Sequence, residues 1–115
     1  MAQKHAYYEI RAVDKNDGSP HVITVKDVPV DAFWSITVYN ADGHLIESPQ
    51  GACSFNNVTA TPNKDGSITI HFGGNPKSVN YLTIEGGWHY LARMFEPRRE
   101  ILNGSWKFPR EMLVE

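Results

Sequence analysis

The chain holds a single cysteine, Cys53, so no disulfide can form within it. Its neighbours Gly51, Ala52, Ser54 and Phe55 include no cation that would lower the thiol pKa. Cys53 therefore reads as a structural thiol in a reducing compartment. Long apolar runs are also missing, and none approaches the ~20 residues that a membrane helix needs. Nothing apolar follows Met1–His5 that could act as a secretory leader. The expectation is a soluble, cytoplasmic protein with no membrane partner. Charge of one sign is not in excess: 11 Lys and Arg face 13 Asp and Glu, for a net charge of -2. That balance removes the electrostatic footprint of nucleic-acid binding. The one basic pair, Arg98-Arg99, lies between Glu96 and Glu100 and reads as a solvated turn. Catalytic signatures are absent as well, with no G-x-S-x-G elbow, H-E-x-x-H pair or phosphate-cradling loop. His5, His21, His44, His71 and His89 are dispersed. No two share the i, i+2 spacing of ligands on one strand face, so neither a metal nor a cofactor is expected.

What the chain does have is strand-like segments with turn residues between them. Tyr7–Val13 alternates loosely, and His21–Lys26 follows a dense turn from Asp14 to Pro20, which predicts a long-looped hairpin. Pro29 interrupts the chain before Phe33–Tyr39, an uncharged aromatic and β-branched run that ends in Asn40-Ala41-Asp42-Gly43. Leu45–Pro49 fits a short edge strand, and Ser54–Ala60 an extended segment. After the turn Asn63-Lys64-Asp65-Gly66, Ser67–Phe72 shows the cleanest period of two, with Ile68, Ile70 and Phe72 on one face. Val79–Ile84 reads as a strand. Trp88–Phe95 mixes helix and strand formers, but the Gly86-Gly87 pair before it and the absence of an N-cap favour strand. Ile101–Trp106 is a turn, and the tail to Glu115 is irregular or a short helix. Residues 1–115 therefore predict a single all-β domain, an antiparallel β-sandwich or a jelly-roll-like barrel with at most one or two short helices. Its core should include Trp34, Ile36, Val38, Ile68, Ile70 and Phe72.

Five segments in order carry a resemblance: Pro29–Asn40, Asn63–Ile70, Asn80–Leu82, Arg93–Pro97 and Gly104–Pro109. Together they resemble the domain of unknown function 1214 over roughly Val22 to Pro109. This chain departs from the family pattern at Asn40, usually Asp, and at Tyr81 and Thr83, where the family usually has Trp and Pro. The resemblance implies a sandwich-like β fold and brings no catalytic residues with it. It also implies a partner, because this domain is often joined to a domain of unknown function 1254, for which the chain has no room.

Two functional classes follow. The first is a non-catalytic module that binds a ligand or assembles with a partner, either a second copy of itself or a protein carrying the 1254 domain. The second is a small hydrolase with His71 or His89 as general base near a carboxylate such as Asp42. The scatter of titratable residues favours the module over an enzyme. Its candidate ligand-binding residues are Tyr39, His71 and Arg93, with Trp106 at the rim as a stacking platform for a sugar or lipid head group.

Overall fold

The strand-forming segments sort into two sheets in the computed structural model, which describes residues 6–47 and 52–114. The first sheet has the order β1 (Ala6–Ala12), β7 (His89–Pro97), β3 (Val30–Tyr39), β4 (Ser54–Asn56). The second runs β6 (Tyr81–Leu82), β5 (Ile68–Phe72), β2 (His21–Val25), β8 (Met112–Leu113). Pairing is antiparallel throughout except between β5 and β6. One helical turn, α1 (Arg99–Leu102), follows β7. Both sheets are open, so the barrel alternative gives way to the sandwich.

Alternation places the core as the sequence predicts. Trp34, Ile36 and Val38 of β3 and Ile68, Ile70 and Phe72 of β5 are all buried in one apolar cluster with Tyr90, Ala92 and Met94 of β7. Phe72 lies against Trp88 and Tyr90 with ring centroids 4.9 and 5.2 Å apart. Strand β7 forms where the composition of Trp88–Phe95 is ambiguous, because it pairs on both sides, with β1 and with β3. The turn before β5 requires Gly66, whose φ is +88°.

Several expectations are corrected. β1 and β2 are not a hairpin: β1 pairs with β7 in one sheet, and β2 pairs with β5 in the other. A two-residue turn would force two strands together, but residues 13–20 are long enough to cross the ~10 Å between sheets. β3 begins at Val30, three residues early, and takes up the extra length as an irregularity between Val30 and Phe33. The edge strand over Leu45–Pro49 is a single bridge from Leu45 to Tyr39, while Ser48 and Pro49 lie outside the described residues. Ser54–Ala60 is extended only to Asn56, where the Asn56 Oδ1 accepts from the backbone amides of Val58 and Thr59 and turns the chain. The strand expected over Val79–Ile84 is confined to Tyr81–Leu82. The tail is neither irregular nor helical at Met112–Leu113, which adds to the free edge of β2.

Candidate functional site

Pairing between β3 and β7 builds the most distinctive surface. The register sets Phe33 against Phe95, Ser35 against Arg93, Thr37 against Leu91 and Tyr39 against His89. These residues share the face of the sheet that points away from the core, because their neighbours Trp34, Ile36, Val38, Tyr90, Ala92 and Met94 fill the other, although the small Ser35 and Thr37 on this outer face are themselves buried. Phe33 stacks on Phe95 with centroids 4.5 Å apart, and Tyr39 stacks on His89 at 5.5 Å. The two stacks are about 20 Å apart along the strands, at ~3.3 Å per residue. Arg93 lies between them and donates to the Tyr39 hydroxyl at 3.3 Å. Among the described residues that hydroxyl is its one polar partner, and no carboxylate neutralises it.

β1 extends this face with an unusual parity. Tyr8 and Ile10 point outward, 59 % and 76 % exposed, while Arg11 points inward at 7 %. Tyr8 meets Phe95 edge to face at 6.4 Å. A strand on a sandwich normally turns its apolar side to the core, and here the aliphatic and aromatic side is wet. Arg11 is accommodated inside because it is fully engaged. Its guanidinium pairs with Glu9 and donates to the Tyr90 hydroxyl and to the carbonyls of Phe108 and Pro109. The Tyr90 hydroxyl in turn donates to Glu111 Oε1 at 2.5 Å. Burial, followed by this hydrogen bond to Glu111, pushes the Tyr90 hydroxyl up to about 12. Burial also pushes the Glu111 carboxyl up, but the bonds from Tyr90, the backbone and Arg110 outweigh it, and the net direction is down. This network straps the C-terminal tail across the edge of the sandwich. Sequence reading misses it because its members are spread from Glu9 to Glu111.

Of the four candidate residues, Tyr39 and Arg93 meet, and the other two lie elsewhere. His71 is on the opposite sheet, where its Nδ1 donates to the Val79 carbonyl at 2.6 Å. Trp106 lines a cavity of about 220 Å³ beside α1, together with Tyr7, Glu9, Lys107 and Phe108. A wider cleft of about 310 Å³ at one end of the sandwich, lined by Asp27, Trp34 and Asn57, holds none of the four. His71 and His89 are on separate sheets, and among the described residues neither is hydrogen-bonded to a carboxylate. Asp42 sits in the turn capped by Asn40, whose Oδ1 accepts from the amides of Asp42 and His44. No three His, Cys, Asp or Glu side chains converge among the described residues, and no helix there is long and apolar enough to cross a membrane.

The family-like segment Asn80–Leu82 has a structural role. Asn80 adopts φ +52° and is 7 % exposed. Its Oδ1 accepts from the Thr61 amide at 2.8 Å, and its Nδ2 donates to the carbonyls of Thr61 at 2.9 Å and Thr69 at 2.8 Å.

Comparison with solved structures gives the VPA0106 protein from Vibrio parahaemolyticus at TM-score 0.85 and 25 % identity, covering 98 % of this chain and 31 % of that one. An uncharacterised protein from Burkholderia cenocepacia matches at TM-score 0.62 and 21 % identity, covering 96 % and 29 % respectively, a likeness of fold alone. The chain thus spans about a third of the length of these neighbours. Comparison with curated proteins finds no match. A family model described as "Protein of unknown function (DUF1214)" matches residues 6–99, beginning before the resembling segments and ending short of the last of them, and the chain belongs to that family.

Proposed function

We propose that this chain is a non-catalytic assembly module, and that the outer face of the β1-β7-β3-β4 sheet docks a second polypeptide. The observation that carries this reading is the outward parity of β1 together with the aromatic stacks around Arg93: a largely aromatic and aliphatic face around a cation that has no carboxylate partner among the described residues. Large, partly exposed apolar side chains around an arginine that has no carboxylate partner among the described residues are the composition of an interface centre, where aromatics and Arg concentrate the binding energy. Spanning ~20 Å along the strands and about 15 Å across them, the face matches the centre of a standard interface of ~800 Å² per partner, with loops left to supply the rim.

The partner we favour carries a domain of unknown function 1254 and presents a carboxylate among apolar side chains. About two thirds of each structural neighbour's chain lies outside this fold. Charge complementarity points away from a second copy. A two-fold contact through this face would bring arginine faces together with no carboxylate between them. The outward positions of β1, of β3 from Phe33 and of β7 from His89 to Phe95 have none. The half-buried, unpaired Cys53 suits a cytoplasmic assembly.

The test is light scattering on the purified chain, alone and mixed with a 1254-domain protein from the same genome. The reading expects a monomer alone and a 1:1 complex in the mixture. Arg93→Glu should abolish the complex, and Arg93→Lys should weaken it, because a guanidinium fork holds a carboxylate in two-pronged geometry and an ammonium does not. A self-dimer, no complex, or a complex indifferent to both variants overturns it.

A further inference from the structure

The cavity beside Trp106 lies on the other side of the first sheet from the proposed docking face. Its floor is apolar and buried: Met94, Ile101 and Phe108. Half-buried Tyr7 and Trp106 form its walls, and Phe108 buttresses the Trp106 ring edge to face at 5.9 Å and 88°. Four of the lining residues carry polar groups. Among the described residues, the Tyr7 hydroxyl, the Trp106 indole N–H, the Lys107 ammonium and the second carboxylate oxygen of Glu9 make no hydrogen bond. Three of these can donate, and the Glu9 oxygen accepts.

Size and charge narrow the ligand. The cavity volume is about 220 Å³. Sites for drug-sized molecules are larger, at roughly 300 Å³ and upward. The space is worth about seven waters, at about 30 Å³ each. It suits one small ring. The single carboxylate is already paired with Arg11, and Lys107 adds a positive charge at the mouth, so a cation gains little. An anion would meet the Glu9 oxygen. The combination of aromatic walls with both donors and acceptors matches a molecule that has C–H faces and a hydroxyl rim. We infer that this cavity is a binding site for a neutral polyhydroxylated ring of monosaccharide size, stacked on Trp106 with its hydroxyls on Glu9, Tyr7 and Lys107. The inference does not depend on the docking face.

The test is a titration monitored through the indole ¹⁵N–H resonance of Trp106, assigned by its loss in Trp106→Phe. The probes are the methyl glycosides of glucose, galactose and mannose, with choline and acetate as charged controls, each taken through the millimolar range. The expected result is a saturable shift of the Trp106 resonance with at least one glycoside. Tyr7→Phe should weaken that binding several-fold while leaving the other two indole resonances in place. Trp106→Ala should abolish it, and the Tyr7→Phe measurement stands even where Trp106→Ala does not fold. No saturable shift with any glycoside overturns the inference. A response to choline or acetate alone also overturns it, by assigning the cavity to an ion.

Discussion

Replacing Asn80 with Ala should cost about 3–5 kcal/mol, from lost hydrogen bonds and backbone strain together. The side chain makes three hydrogen bonds at 2.8–2.9 Å, which tie the Thr61 loop to β5. Each contributes about 0.5–1.5 kcal/mol net, and leaving partners unsatisfied raises the cost. Asn80 also holds φ +52°. That conformation costs a residue such as Ala roughly 1–2 kcal/mol and Gly almost nothing. Asn80→Gly should therefore lose the same bonds but remain about 1 kcal/mol more stable than Asn80→Ala. Asn80→Asp keeps the acceptor for the Thr61 amide but turns an oxygen toward two carbonyls, so it should be at least as harmful as Ala. Urea unfolding followed by tryptophan fluorescence reads all three, provided the denaturant slopes are unchanged. A loss below about 1 kcal/mol in Asn80→Ala, or no advantage for Gly, would refute the reasoning.

The other predictions concern stability at single positions. Ile70 has no exposed surface in the middle of the core. Ile70→Ala should therefore cost ~2–5 kcal/mol, and chemical denaturation giving under about 1 kcal/mol would mean the cavity collapses around it. Gly66 has φ +88°, although no atom crowds an added methyl. Gly66→Ala should cost about 1 kcal/mol or more, and an unchanged melting temperature would contradict it. Tyr90 contributes a pH dependence, because its folded pKa of about 12 exceeds the ordinary phenol value of 10.0. Its stabilisation is complete below pH ~10 and declines by up to ~2–3 kcal/mol as pH rises toward ~12, where the unfolded chain ionises first. Tyr90→Phe should flatten that decline in denaturation curves taken at both ends of the window, and identical slopes in the two proteins would exclude the effect.

The segments legible in the sequence are those whose alternation is strong on its own. β3 and β5 have clean parity, so their buried faces follow from side-chain period alone, and the Asn-Lys-Asp-Gly turn carries its own backbone signal. β1 alternates only loosely, and its hydrophobic sense is inverted: Ile10 is outside and Arg11 inside. Glu9, the Tyr90 hydroxyl and the tail carbonyls of Phe108 and Pro109 satisfy the guanidinium and make that orientation tolerable, and all of these but Glu9 are remote in sequence. The same limit applies to the site. Tyr39 and Arg93 each stand out in the sequence, yet their contact depends on a pairing 54 residues apart. His71 shares their polar parity but belongs to the other sheet, and strand order is set by long-range packing that period-two patterns do not encode.

The claim that the outer face of the first sheet is a docking surface is tested most directly by comparing one charge placed on each sheet. Ile10→Asp puts it on the proposed face at a position 76 % exposed, where the fold should tolerate it. Thr24→Asp puts it on the exposed outer side of the second sheet. Titration calorimetry against the proposed 1254-domain partner should show Ile10→Asp binding at least about 100-fold more weakly than wild type, the equivalent of ~2.7 kcal/mol, with Thr24→Asp unchanged. Equal affinities for the two variants, or a loss confined to Thr24→Asp, would contradict the account.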